Sequence, residues 1–326
     1  MVLVLSCQQV TDVINIRDLI GGVKDALIGL SKGQSINPNR LRIFVEQERS
    51  MLACMAAYLA DEGVLGAKIV GSSDKPVPPG QPRNVSSIVV LLDSQGKFLS
   101  IMSGSQLGPM RTAATSAVAT GCLARADASS IAMIGCGVQA RLELQGAAIV
   151  RPLKQVYAYD VSRDVAERFA AEMQQRLGLR VTVAKSAEEA VERADIVTLA
   201  TTSSEPVVAD SAIRAGTHIN AVGAHTPRKR ELASDTVVRA RLFAEYRQAI
   251  LNEAGDVLIP IEEGRVSQAH ILGEIGEVAG GMVQGRLSPD DVTIFKSTGI
   301  AVEDVVAAKI VYERAMAKGI GYRVEL

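Results

Sequence analysis

Ser130-Ile131-Ala132-Met133-Ile134-Gly135-Cys136-Gly137-Val138-Gln139-Ala140 reads as a short buried strand, a glycine turn and the start of a helix. Its pattern is Gly135-x-Gly137-x-x-Ala140. In such a unit the first glycine permits the tight turn, and the second lets the backbone approach a pyrophosphate. The small third residue allows close helix–strand packing. Phosphates placed there meet free amides and the positive end of the helix dipole. The pattern alone is common among α/β proteins, so its context carries the reading. The next apolar strand, Gln155 to Tyr159, ends at Asp160, about 20 residues or slightly more past the glycines, where an acid accepts from ribose hydroxyls. Together these predict a dinucleotide-binding fold.

Downstream, the chain alternates strand and helix, the grammar of a parallel sheet. Val165, Phe169 and Met173 stripe a helix over 162–177 that Gly178 terminates. Val181 to Val183 reads as a strand, and Ser186-x-x-Glu189 as a capping box. Asp195 to Ala200, His218 to Gly223, Leu242 to Glu245 and Val292 to Phe295 read as further strands. Val302, Val306 and Ile310 stripe a last helix over 300–318, expected to pack back on the N-terminal part and make that domain discontinuous. In open α/β sheets ligands bind beyond the carboxyl ends of the strands. Asp160, Thr201, Ala224-His225 and Ser297-Thr298 fall at those ends.

Upstream, Leu19, Ile20, Val23, Leu27 and Leu30 place an amphipathic helix over 17–31, closed by Gly33. Leu41 to Val45, Met51 to Leu59 and Gly66 to Val70 read as strands, and Ser72 to Arg83, rich in Pro and Gly, as a loop. Ile88 to Leu92 and Phe98 to Met102 form a hairpin around Asp93-Ser94-Gln95-Gly96. At Pro109 a helix begins that reaches about Leu123, proline being tolerated in the first turn. Arg111 stands in that turn, where the macrodipole disfavours a cation. Two readings stay open for it: a bound anion, or an ordinary arginine paired with a carboxylate or solvent.

The fold class expected is therefore α/β: a Rossmann dinucleotide-binding domain over 116–299, and an α+β N-terminal domain over 1–115 completed by 300–326. The 326 residues suit two domains, and 48% apolar with 22% charged residues is ordinary for such proteins. A net charge of −1 and the lack of tryptophan argue against nucleic acid and anionic membranes as partners. The opening Met1 to Leu5 is too short and too poor in basic flanks for a secretory signal, so the expected location is cytoplasmic. Cys7, Cys54, Cys122 and Cys136 show no metal-ligand spacing, so no metal is expected, and all four read as small buried hydrophobes in a reducing compartment rather than disulfides. Cys136, inside the phosphate turn, is the one where oxidation or alkylation could block a cofactor.

Arg111-Thr112-Ala113-Ala114, then Ile134 to Arg141, His218 to Ala224, and Phe295-Lys296-Ser297-Thr298-Gly299 with Val302-Glu303-Asp304 occur in order through nearly the whole chain. In these the sequence resembles the ornithine cyclodeaminase/mu-crystallin family. The resemblance implies a homodimer, an N-terminal domain for dimerisation and substrate, and a Rossmann domain holding NAD(H) or NADP(H). It places the substrate carboxylate on Arg40, Lys68 and Arg111, with Thr298 beside the substrate. Cofactor contacts would come from Arg111, Thr112, Gly135, Gly137, Val138, Gln139, Asp160, Thr201, Val222, Gly223, Ala224, Lys229 and Ser297. A guanidinium fork and a lysine point charge suit a carboxylate. Arg40 alone would read as a surface arginine. Lys68 stands inside an apolar strand, where burial lowers its pKa and suits it to proton transfer.

Cyclodeaminases of this family carry an aspartate where this chain has His225. A histidine offers no fixed anion to a terminal ammonium, so the reading moves toward hydride transfer at a C=N carbon. His225 either donates a proton near neutral pH or lines the pocket and bonds a ribose. His218 and His270 read as structural. The expected function is an NAD(P)H-dependent reductase of a small imino acid, such as a cyclic ketimine, or an amino-acid dehydrogenase, with Lys68 and His225 as catalytic candidates. One alternative is an ornithine cyclodeaminase-type ammonia lyase recycling bound NAD+; another is a crystallin-like binder without catalysis. Asp160 favours NAD(H), and Arg163 leaves NADP(H) open.

Overall fold

The computed structural model describes residues 1–73, 75 and 84–325. It divides into two compact units, one of residues 1–112 with 300–326 and one of 113–299.

The first unit opens with β1 (Val2–Leu5), a strand where the sequence reading placed none, followed by α1 (Cys7–Val13). Next comes α2 (Ile16–Ser31), whose Asn15 side chain accepts from the Asp18 amide at its start. Its buried stripe is Leu19, Val23, Ala26, Leu27 and Leu30, at the spacing read from the sequence. An antiparallel run follows: β2 (Leu41–Val45), β3 (Ser50–Leu59), β4 (Val64–Ser73), β5 (Val85–Asp93) and β6 (Phe98–Ser103). Ser72 and Ser73, read as loop, continue β4 because they pair with Met51 and Ser50. Residues 74 and 76–83 of that loop lie outside the described set. α3 (Leu107–Leu123) carries Pro109 in its first turn, and the unit boundary falls within it.

The second unit is an eight-stranded parallel sheet. Its elements begin with β7 (Ser130–Ile134), α4 (Val138–Val150), β8 (Gln155–Tyr159), α5 (Arg163–Leu177), β9 (Arg180–Val183) and α6 (Ala187–Val191). β10 (Ile196–Leu199), β11 (His218–Ala221), α7 (Ser234–Arg239) and β12 (Arg241–Ala244) follow. α8 (Arg247–Glu253), α9 (Gly255–Glu262), β13 (Ile271–Glu274), α10 (Ile275–Ala279) and β14 (Thr293–Lys296) complete it. The strand order is β13-β12-β14-β11-β10-β7-β8-β9. Because β8 and β9 lie on one side of β7 and β10 on the other, the sheet reverses direction between β7 and β10. That is where open α/β sheets form a ligand crevice. Ile131 and Met133 face one core, and Ala132 and Ile134 the other, which is why β7 is apolar throughout.

The chain then returns to the first unit with α11 (Ala301–Lys318) and β15 (Tyr322–Val324). The seven-stranded sheet runs β15-β1-β6-β5-β4-β3-β2. α2 and α11 pack together, and α11 lies on β3, β4 and β5. Gly66 permits this approach: a Cβ there would stand 2.9 Å from Val305 of α11 and 2.8 Å from the Val90 carbonyl. Lys68, two residues along β4, faces the same way and is buried among Met55 and Val89 of the neighbouring strands. On the opposite face the row Leu41–Cys54–Ile69–Ile88 crosses four strands. Leu41 there is 61% and Ile88 44% exposed. No described helix is long and apolar enough to cross a membrane.

Candidate functional site

In the first unit, three elements bring their charges to one place. Lys68 of β4, Arg111 of α3, and Glu303 and Asp304 of α11 are all buried. The Lys68 Nζ lies 2.7 Å from Asp304 Oδ2. Arg111 donates from Nε to Asp304 Oδ1 at 3.0 Å and from Nη1 to Glu303 Oε2 at 2.6 Å. Arg111 thus has carboxylate partners within the chain, on α11, as one of its two readings expected. Burial, helped by the neighbouring cations Arg111 and Arg40, lowers the Lys68 ammonium to about 8 against the pull of Asp304. Burial pushes Asp304 up, but Arg111 and Lys68 outweigh it and hold the carboxyl below its usual range. Thr112, one residue on, donates its hydroxyl to the Gly108 carbonyl within α3.

In the second unit, a cleft of about 550 Å³ opens at the β7–β10 reversal, lined by Gly135, Gly137, Asp160 and Thr201 among others. Gly135 has φ +85°, and a Cβ on it would stand 2.7 Å from the Ala200 carbonyl oxygen, so only glycine fits this turn. Gly137 precedes α4 with no side-chain cap on the helix, and no atom lies within 4 Å of where its Cβ would be. Open space over a helix start with no side-chain cap is the shape a pyrophosphate needs. Asp160 accepts the Cys136 amide on one oxygen and the Ser162 amide on the other, each at 2.9 Å, so it straps the glycine turn while facing the cleft. These residues fit a dinucleotide.

The remaining expected contacts lie outside the lining of this cleft. Val138 is 68% exposed at the start of α4, and Gln139 donates to Glu143. Val222 is half-buried, while the Gly223 and Ala224 amides both donate to Glu231. His225 is exposed, with Nδ1 3.1 Å from the Gly223 carbonyl oxygen. Lys229 is exposed. Ser297 and the Thr298 amide are buried and donate to Glu245. Arg40 is half-buried and bears on Lys68 through its charge.

Three details depart from the sequence reading. Cys7, read as a buried hydrophobe, is exposed on the first turn of α1, whereas Cys136 is fully buried, and burial together with Asp160 pushes its thiol up to about 12, which shields it from oxidation and alkylation. Only half of the Ser186 capping box forms: the Ser186 hydroxyl takes the Glu189 amide, but the Glu189 carboxylate takes the Lys185 amide instead of that of Ser186. The sequence reading also gave no role to the buried charges Glu231, Glu245, Asp256 and Lys296. Lys296 pairs with Asp256 at 2.7 Å, both fully buried. A signal for it existed, since Lys296 ends an apolar strand much as Lys68 sits within one. His218 behaves as read: it bonds Thr293 and Asn220, and burial with the nearby Arg286 drives it down to about 3. Among the described residues no group of His, Cys, Asp or Glu is arranged to hold a metal ion.

This geometry has close relatives. A Delta(1)-pyrroline-2-carboxylate reductase of Bacillus cereus is 34% identical over 325 residues, 99% of each chain. The structure of Thermococcus litoralis Delta(1)-pyrroline-2-carboxylate reductase in complex with NADH and L-proline superposes with a TM-score of 0.95 at 38% identity, covering 99% of this chain and 100% of that one. An archaeal alanine dehydrogenase dimer with bound NAD gives a TM-score of 0.94 at 31% identity, over 100% and 99%. Residues 1–319 match the ornithine cyclodeaminase/mu-crystallin family along their whole length, and the chain belongs to that family.

Proposed function

We propose that this chain is an NAD(H)-dependent reductase of the C=N bond of a small 2-imino acid, with a cyclic ketimine carboxylate as substrate. The observation that carries the reading is the buried Lys68–Asp304–Arg111–Glu303 cluster, in which a lysine held near 8 stands beside a guanidinium fixed on two carboxylates. Such a lysine is mostly protonated at neutral pH yet releases its proton readily. Arg40, Lys68 and Arg111 receive the substrate carboxylate, and Lys68 Nζ gives a proton to the imine nitrogen. The Gly135–Ala140 turn, with Asp160 on the ribose, holds the dinucleotide, which when bound supplies the hydride. Asp160 favours NAD(H), since a carboxylate accepts from both ribose hydroxyls and repels a 2′-phosphate.

Proton delivery falls to Lys68 over His225, which is exposed and turns Nδ1 toward a backbone carbonyl. The relatives described as pyrroline-2-carboxylate reductases, one of them seen with NADH and L-proline, support the substrate class. The exposed apolar row through Leu41 and Ile88, together with the dimeric alanine dehydrogenase relative, supports a homodimer formed through that sheet face. NADH oxidation with pyrroline-2-carboxylate or piperideine-2-carboxylate tests the proposal. Turnover of at least one is expected. Inertness toward both, with ornithine converted to proline and ammonia without net NADH change, would replace it with a cyclodeaminase.

A further inference from the structure

At the carboxyl edge of the parallel sheet, backbone amides from two separate strand ends meet on one buried carboxylate. Thr201, past the end of β10, donates its amide to Glu231 Oε1 at 2.7 Å. Gly223 and Ala224, past the end of β11, donate theirs to Glu231 Oε2 at 2.7 and 3.2 Å. Glu231 is itself held. Asp256 Oδ1 accepts the Glu231 and Leu232 amides at 2.6 and 2.9 Å, and Asp256 Oδ2 pairs with Lys296 Nζ at 2.7 Å. Lys296 closes the circuit by donating to the carbonyls of Ala221 and Ala224, at 3.1 and 2.6 Å. Glu231, Asp256 and Lys296 have no solvent exposure, so water does not compete for these bonds.

The circuit reaches the nucleotide cleft through Thr201, which lines it. Thr201 Cγ2 stands 3.0 Å from where a Cβ on Gly135 would be, so its placement bounds the glycine turn directly. Gly223 is packed as tightly: a Cβ there would lie 2.3 Å from the Thr201 carbonyl oxygen and 2.5 Å from Glu231. Three convergent amides are the usual means of holding an anionic ligand. Here the chain's own carboxylate takes all three, so the Thr201, Gly223 and Ala224 amides serve the loops rather than the cofactor.

We propose that Glu231 is a positioning residue for dinucleotide binding: its carboxylate locks the loops after β10 and β11 in the shape that frames the cleft. This rests on the reading of that cleft as a dinucleotide site. Glutamine at this position keeps the size but turns an N–H toward at least one of the three amides, breaking part of the lock.

The test is a fluorescence titration with NADH of wild type and Glu231→Gln, paired with amide hydrogen exchange. Wild type that fails to bind NADH would refute the dinucleotide reading itself, whatever the variant does. Given wild-type binding, Glu231→Gln is expected to raise the NADH Kd about tenfold or more, as for the loss of a buried charge-assisted hydrogen bond. The Thr201, Gly223 and Ala224 amides should lose protection while those of Ile131 to Ile134 keep it. An unchanged Kd would overturn the proposal, and so would an equal loss of protection in β7, which marks general destabilisation. If the glutamine variant does not fold, Glu231→Asp, which keeps the charge but is one methylene too short to meet the amides of both strand ends, carries the same comparison with a smaller expected loss.

Discussion

Replacing Asp304 by asparagine removes the anion that keeps Lys68 protonated, and the size of the effect follows from the geometry. Lys68 stands near 8, lowered from 10.5, with Asp304 2.7 Å away opposing the shift. At neutral pH about nine-tenths of it is protonated. An opposite charge in contact raises such a pKa by roughly 1–3 units, so Asp304→Asn takes Lys68 to roughly 5–7, leaving at most half of it protonated at pH 7. The assay is kcat/KM for imine reduction against pH, which reports groups of the free enzyme. In wild type the rate falls as pH rises through about 8, because the proton donor is lost. In the opposite direction, oxidation of the amino acid requires neutral Lys68 and rises through the same pH. Both limbs should move to lower pH in Asp304→Asn by roughly 1–3 units, and Asp304→Glu, which keeps the charge, should restore most of the wild-type position. Substrate ionisation is common to all three proteins, so only the displacement matters. Limbs that stay in place or move to higher pH would refute the role given to Asp304 and Lys68. The variant is also expected to lose stability, on the order of 3–5 kcal/mol, since Arg111 keeps its buried charge with only Glu303 left opposite it and Lys68 must give up its proton to stay buried.

Asp160→Ser should raise the NADPH/NADH ratio of kcat/KM, and an unchanged ratio would mean the carboxylate does not face the ribose. Gly135→Ala places a methyl group 2.7 Å from the Ala200 carbonyl at φ +85°; left-handed strain and overpacking together cost roughly 2–4 kcal/mol, read as a lower Tm and lost NADH binding. Wild-type values for both would contradict the account of the turn. His218, held near 3 when folded against 6.5 for the free side chain, binds fewer protons in the native than in the unfolded chain between those values. Its contribution is therefore complete above pH 6.5 and is lost as pH falls toward 3, by an amount on the order of 5 kcal/mol. His218→Gln should flatten that part of the stability–pH curve, which urea unfolding would measure. A thiol reagent applied to the native protein should modify exposed Cys7 and spare Cys136, and mass spectrometry showing Cys136 labelled would contradict its burial.

Much of this was legible in the residues because the signals were local. The stripe of Leu19, Val23, Leu27 and Leu30, the Gly135-x-Gly137 turn and the Asp93–Gly96 hairpin turn each depend on neighbours in sequence. Lys68 was legible for the same reason, being a charge inside an apolar strand. What escaped was non-local. Glu303 and Asp304 reach Arg111 across more than 190 positions of the chain, at separations of 192 and 193 residues. Nothing near Arg111 says whether its anion is a ligand or a distant carboxylate. Glu231 likewise looks like an ordinary loop acid until the strand ends beside it are in place. α8, α9, α10 and β13 escaped because each is short, at four to eight residues, and gives little room for a period to show.

The most direct test follows the hydride itself. With NADH carrying deuterium at the transferring C4 position and pyrroline-2-carboxylate as substrate, the account predicts proline bearing one deuterium at Cα for each NADH consumed, with Lys68→Met and Arg111→Met both abolishing transfer. Proline formed without deuterium, or transfer that persists at the wild-type rate in either variant, would contradict it.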